Sequence, residues 1–239
     1  MNPAEASANL TSTPQRRQSL LDLVKIFYAP IKTYAALDVQ YRIRWILLIL
    51  FVLHVGFYYV VSDHLISMVE IQEMLKQTEI VIPKLATQIL QVVIILFSTA
   101  IYFVTLLILL ALLYVFSKIY RTTVNRKLLF AIILLSQGPT LIGKAIKLIV
   151  STPALVNTRE VTLNQSVTSL GQIVSQFTQH PLIVKMASAV DLLELWSYAL
   201  IGLGIAVVSK KSTGKGMMTS FTVWGLFFVV NILSTLLIT

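Results

Sequence analysis

The chain has no cysteine. Disulfides, thiol nucleophiles and thiolate metal sites are therefore excluded, and redox compartment cannot be read from it. Charge is scarce as well: 12% of the 239 residues are Asp, Glu, Lys or Arg, about half the share usual in globular domains. Acidic residues are the rarer sign, 10 against 19 basic, and there are only 3 histidines. No Cys, His and carboxylate cluster has metal-ligand spacing. HExxH, Walker A, EF-hand and dinucleotide-binding patterns are absent too. The sequence thus predicts no metal, no cofactor and no catalytic residue.

What is abundant is apolar surface. Hydrophobic residues make up 56% of the chain and its mean hydropathy is +0.83. A soluble fold of this size could not hide so much, because burial is limited by surface-to-volume scaling. The expected solvent is lipid, and the expected fold is an all-α polytopic membrane protein. A spanning helix needs about 20 mostly apolar residues. Five stretches qualify, at about 45–62, 88–116, 128–150, 189–208 and 217–238. The second is longer than a bilayer requires and free of charge. The third is the most interrupted, holding Gln137-Gly138-Pro139-Thr140 together with Lys144 and Lys147.

Residues 1–19 are polar, without an apolar signal region, and read as a disordered tail. The first span is then expected to serve as an uncleaved insertion signal. Sorting the basic residues onto alternating sides places 13 with the N-terminal segment and the 117–127 and 209–216 loops, and 6 with the other side. By the positive-inside rule the N-terminus is expected in the cytoplasm and the C-terminus outside. The net charge of +9 and pI of about 9.8 are accounted for by this orientation, so no nucleic-acid partner is expected. Anionic headgroups would add about 1 kcal/mol of attraction per basic residue near the surface.

Three further segments have amphipathic character. Asp63–Thr87 mixes Ile66, Val69 and Leu75 with Glu70, Glu73 and Lys76 and ends near Pro83. Leu163, Val167, Leu170, Ile173, Val174 and Phe177 recur at helical spacing. Leu20–Tyr34, broken at Pro30, is expected to lie on the cytoplasmic surface. Asn164-Gln165-Ser166 matches a glycosylation acceptor, meaningful only in a eukaryotic host.

Ionisable groups inside spans cost about 2.5–3.5 kcal/mol each on insertion scales, so each needs a reason. Lys144 and Lys147 share one face of span three, and Asp191 and Glu194 share one face at the start of span four. Carboxylates there also complement the positive helix end. These four form a candidate intramembrane polar cluster, expected either to pair across the two spans or, for the lysines, to snorkel outward. Gly138 and Pro139 are a candidate kink, since proline removes a backbone donor. Broken helices also line transporter sites. Gly202, Gly204 and Ala206 offer close helix approach, within the bundle or between protomers. Asn231 is an expected interhelical hydrogen bonder. His54 in span one is expected to donate a hydrogen bond between helices. Ser98, Ser136 and Ser197 lack the glycine-flanked frame of an activated serine, so a hydrolase built on His54 has little support.

The order of elements resembles the Yip family of five-span membrane proteins. The match is carried by DLLELWSYALIGLGIAVVSKKSTGKGMMTSFTVW (Asp191–Trp224), by IFYAPIKTYAAL (Ile26–Leu37) and by the Pro139 region. Eukaryotic members interact with Rab GTPases in Golgi and ER membranes and carry an Asp-Leu-Tyr-Gly-Pro-like motif. Here Asp22–Pro30 reads DLVKIFYAP, which is more like the prokaryotic branch and its plasma membrane. The resemblance covers most of residues 20–239, a Yip-type membrane domain, and implies no catalytic residue. The function expected is a non-enzymatic scaffold or accessory, acting through protein or lipid binding with a transporter or envelope-stress system. The alternative is a small transporter or channel-like subunit using the polar groups of spans three and four. Expected partners are the bilayer, another membrane protein and a second copy of the chain.

Overall fold

The computed structural model describes residues 22–38, 41, 43–67, 84–151 and 168–238. The tail at 1–19, most of the 63–87 segment, Leu163, Val167 and the Asn164 acceptor lie outside the described residues. Ten helices are seen among those described: α1 Asp22–Tyr28, α2 Pro30–Ala35, α3 Arg44–Ser67, α4 Lys84–Ile119, α5 Arg126–Leu135, α6 Gly138–Ser151, α7 Leu170–Val174, α8 Pro181–Ser188, α9 Leu192–Ser209 and α10 Thr213–Ile238. Lipid offers the backbone no hydrogen bonds, so a spanning segment must satisfy its own.

The chain is an all-α polytopic membrane protein with five candidate spans. They run Arg44–Ser62, Leu85–Ile119, Arg126–Ile149, Leu192–Ser209 and Thr213–Ser234. Span four starts later than the 189 expected because Asp191 caps it: Asp191 Oδ1 accepts from the backbone N–H of Leu193 (2.8 Å) and Glu194 (3.2 Å). Span five starts earlier, because a tight turn follows α9. Lys210 there adopts a left-handed conformation (φ 53°), and Lys211 N–H reaches back to the Ala206 carbonyl at 3.0 Å. The turn after α4 is built the same way, with Arg121 at φ 56° and Thr122 N–H on the Ser117 carbonyl at 2.8 Å. The turn after α4 meets α10 through Thr122–Thr219 (3.1 Å) and Tyr120–Thr222 (3.0 Å) hydroxyl pairs. This is the basic end of the bundle.

Span three is two helices rather than one. α5 closes with Ser136 N–H on Ile132 O and Gln137 N–H on Leu134 O, and α6 begins at Gly138. Pro139 thus falls in the first turn of α6, where its missing N–H costs no helical bond. Ser136 Oγ donates to Ile132 O (2.8 Å) and Gln137 Nε2 to Ile133 O (3.3 Å), so side chains serve the freed end of α5. Span three is wrapped by the others: 61% of it is buried, against 22% of spans one, two and five. The core runs through Leu129 and Ala131–Leu135.

The N-terminal segment corrects its expectation. α1 and α2 do not rest on a surface; they form a hairpin docked against α5, α6 and α9, with Ile26 and Tyr34 fully buried. Two glycines make the groove. A Cβ at Gly138 would stand 2.6 Å from Phe27 Cζ, and one at Gly204 would stand 3.0 Å from Tyr34 Cε1 and 2.6 Å from Ile132 Cγ2. Phe27 also meets Trp196 edge-on at 5.4 Å. Trp196 lies thirteen residues from Ser209, about 20 Å of helix from the basic end. The hairpin tip therefore reaches well into the bundle.

Gly202 and Ala206 are used inside the same chain. A Cβ at Gly202 would stand 2.8 Å from Met217 Sδ, and one at Gly216 would collide with the Gly202 carbonyl and Ala206. The α9–α10 crossing is thus the small-residue contact. Of the expected 163–177 helix, the described part is the five-residue α7, packed at Gly171 against Ser188 of α8. α8 itself was not anticipated, although Pro181 marks its first turn. Asn231 is exposed, and its carbonyl accepts from Ser234 Oγ at 2.8 Å.

Candidate functional site

The four ionisable residues singled out in spans three and four line one cavity of about 330 Å³, between α4, α6 and α9. α6 contributes Lys144 and Lys147, which face it because they are three apart on one helix face. α9 contributes Glu194, Ser197 and Tyr198, again three to four apart, with Asp191 just before its first turn. α4 adds Tyr102 and Thr105, and the break in span three adds Gln137 and Thr140. Leu106, Leu109 and Ile201 supply apolar wall.

Lys144 does not take a carboxylate as its partner, contrary to the pairing expected across spans three and four. Its Nζ lies 2.9 Å from His54 Nδ1 in span one. An ammonium has three donors and no acceptor, so with Lys144 charged His54 accepts at Nδ1 and carries its proton on Nε2. At Nδ1, His54 thus accepts where the sequence predicts a donor. Nε2 makes no hydrogen bond of normal geometry, with the Ser98 backbone alongside. The imidazole stacks on Tyr102 at 4.0 Å, and the same Tyr102 ring lies 4.5 Å from Lys144 Nζ. Cation–π attraction of this kind contributes about 0.5–2 kcal/mol, more as water is excluded. The lysine is therefore held by an imidazole and a π-face from two other spans, which is how a cation is tolerated at this depth.

The carboxylates are placed differently from one another. Asp191 is committed: besides capping α9, its Oδ2 accepts from Thr168 Oγ1 at 2.8 Å. Glu194 takes no side-chain hydrogen bond or ion pair from the described residues; the ion pair found among those residues is Lys25–Asp22, at 3.7 Å. Ser197 Oγ is buried and, among the described residues, without a hydrogen-bond partner. At the cavity floor, Gln137 Oε1 accepts from Thr140 Oγ1 (3.3 Å) and stands 3.5 Å from the Tyr102 hydroxyl. Tyr102 has no signal in the sequence, since one aromatic in a long apolar run is common. Gln137 stands out in the sequence only as part of the break.

The break is also tied to the hairpin. The Tyr34 hydroxyl meets Ser136 Oγ at 2.7 Å, and burial raises the Tyr34 pKa well above the usual phenol value, so it stays protonated. Ser136 is thereby engaged from two sides. Among the described residues, no serine hydroxyl bonds either ring nitrogen of His54. Among the described residues, no three of His, Asp and Glu gather in a way that could hold a metal.

A family model described as the Yip1 domain matches residues 24–234, which takes in all five spans, the α1–α2 hairpin from Val24 onward and the whole cavity. No curated protein and no solved structure matches the chain.

Proposed function

The chain belongs to the Yip1 domain family, and from that premise we propose that it is a non-enzymatic integral membrane protein that works by binding. In this reading it is an accessory or scaffold to another membrane protein in a prokaryotic plasma membrane, with its basic end in the cytoplasm. A transporter or an envelope-stress system is the kind of machinery it would serve. The observation that supports this is the use made of its reactive side chains. His54 accepts from Lys144, Ser136 sits between Tyr34 and the Ile132 carbonyl, and Asp191 caps a helix. Each joins elements of the bundle, and none forms a nucleophile–base pair. The outer helices meanwhile expose apolar side chains such as Val52, Phe97 and Val229. A photo-crosslinking amino acid at each of these three positions, in native membranes, tests the reading. A discrete protein adduct from one face and not the others is expected. Diffuse, equal products from all three faces would sink it.

The cavity favours a second reading, a small transporter or channel-like subunit. Single-cysteine variants Pro139→Cys, Lys144→Cys, Asp191→Cys and Glu194→Cys in this cysteine-free chain would react with a water-soluble maleimide if the cavity is wet. Labelling confined to position 191, at the start of α9, would rule this reading out.

A further inference from the structure

Lys144 and Glu194 stand on opposite walls of the cavity. Lys144 stands on α6, with Lys147 one turn further; Glu194 stands on α9, beside the unpartnered Ser197 hydroxyl and the Tyr198 hydroxyl. No ion pair joins Lys144 to Glu194 among the described residues. One of the three Lys144 N–H donors has His54 as its acceptor, which leaves donors for something else. A half-buried carboxylate with no donor and a buried serine with no partner, both among the described residues, are costly arrangements where water is scarce. Water alone could hydrate each charge, but it could not bridge them as one solute of matching polarity would.

We propose that this cavity is a binding site for a small zwitterion. Its anionic group meets Lys144 and Lys147, and its ammonium meets the Glu194 carboxylate with the Ser197 and Tyr198 hydroxyls. The volume of about 330 Å³ suits a ligand of roughly ten non-hydrogen atoms, taking ~30 Å³ for each water-sized group. An ammonium and an acid a few bonds apart occur both in free amino-acid-like solutes and in the headgroup of phosphatidylethanolamine, and the site chemistry is the same for both. The proposal rests on the cavity being a solute site, as in the second reading above, and holds whether or not the solute crosses the membrane.

The test is calorimetric titration of the full chain in detergent with O-phosphoethanolamine and with glycine. Their halves serve as controls: ethanolamine and inorganic phosphate for the first, methylamine and acetate for the second. At least one zwitterion is expected to bind about tenfold or more tighter than either of its halves. Glu194→Gln should weaken it by about tenfold or more while leaving the anionic half unchanged, and Lys144→Gln should weaken the anionic half. Ser197→Ala, a smaller change, should weaken the zwitterion by a few-fold and covers the case in which either charge variant fails to fold. Repeating the titration in nanodiscs identifies the source. A weaker apparent affinity in phosphatidylethanolamine than in phosphatidylglycerol discs means that the lipid headgroup competes for the site, and equal affinities assign it to a free solute. Zwitterions no tighter than their halves, or folded Glu194→Gln and Ser197→Ala proteins that bind like the parent, would overturn the proposal. Maleimide labelling at 144 and 194 without zwitterion binding would overturn this proposal alone; absence of labelling strikes at the solute-site reading itself.

Discussion

Spans two and three are neighbours in sequence and in space, and they solve opposite problems. Span two runs 35 residues with no charge until Lys118 and shows most of its length to lipid. Span three carries Lys144 and Lys147 in its second half, with a glutamine, a serine and a proline between them and its start, yet it is the most buried of the five. In water the more apolar helix would be inside. In a bilayer, apolar side chains gain little by leaving lipid, because the tails are as apolar as leucine. Polar groups and broken backbone gain a great deal from protein neighbours. Burial here follows polarity and backbone need. The half-helices of span three are sheathed by α3, α4, α9 and the α1–α2 hairpin, and the cavity lies where that sheath is incomplete.

The most direct way to break this comparison is to thin the core of span three. Ile132 is fully buried, and its Cγ2 presses the position where Gly204 lacks a Cβ. Ile132→Ala should cost about 2–5 kcal/mol, read as a fall in unfolding free energy on titrating denaturing detergent into mild detergent. A loss under about 1 kcal/mol would mean that span three is enclosed without being tightly packed.

A smaller effect sharpens the polar half of the comparison. Lys144→Met removes the ammonium, and His54→Phe keeps a ring against Tyr102 while removing the acceptor. A double-mutant cycle on this pair should give a coupling of about 0.5–3 kcal/mol, because the two side chains are in contact. The parallel cycle of Lys144→Met with Asp191→Ala should be additive to within about 0.5 kcal/mol. The reverse pattern would restore the lysine–carboxylate pairing that helical spacing alone favours.

That reversal shows what was legible in the sequence. The number of spans was, because a run of about 20 apolar residues has few other uses. The break was too, since Gly138-Pro139 cannot continue a helix unchanged. Periodicity also put Lys144 with Lys147, and Asp191 with Glu194, on shared faces, and all four line one cavity. Periodicity fixes which side chains share a face, not which helix that face meets. His54 is 90 residues from Lys144, and nothing local in either segment points to the other. The hairpin was misread for a related reason. Lys25, Lys32 and Pro30 look like a surface segment, while the grooves that receive Phe27 and Tyr34 depend on Gly138 and Gly204, more than a hundred residues on.

The smallest expected effect probes span two itself, using its own two faces. Leu96 is 62% exposed and Leu113 is fully buried, on one continuous helix. Leu96→Ala exchanges one lipid-facing apolar side chain for a smaller one and should change unfolding free energy by no more than about 0.5 kcal/mol. Leu113→Ala opens a void among packed neighbours and should cost several times that. Helix propensity cannot produce the difference, since the substitution and the helix are the same. If Leu96→Ala proved as costly in native membranes as Leu113→Ala, while remaining mild in purified protein, the outer face of span two would be packed against another protein rather than lipid. The exposure that sets span two apart from span three would then belong to the isolated chain, and that face would be where an accessory protein meets its partner.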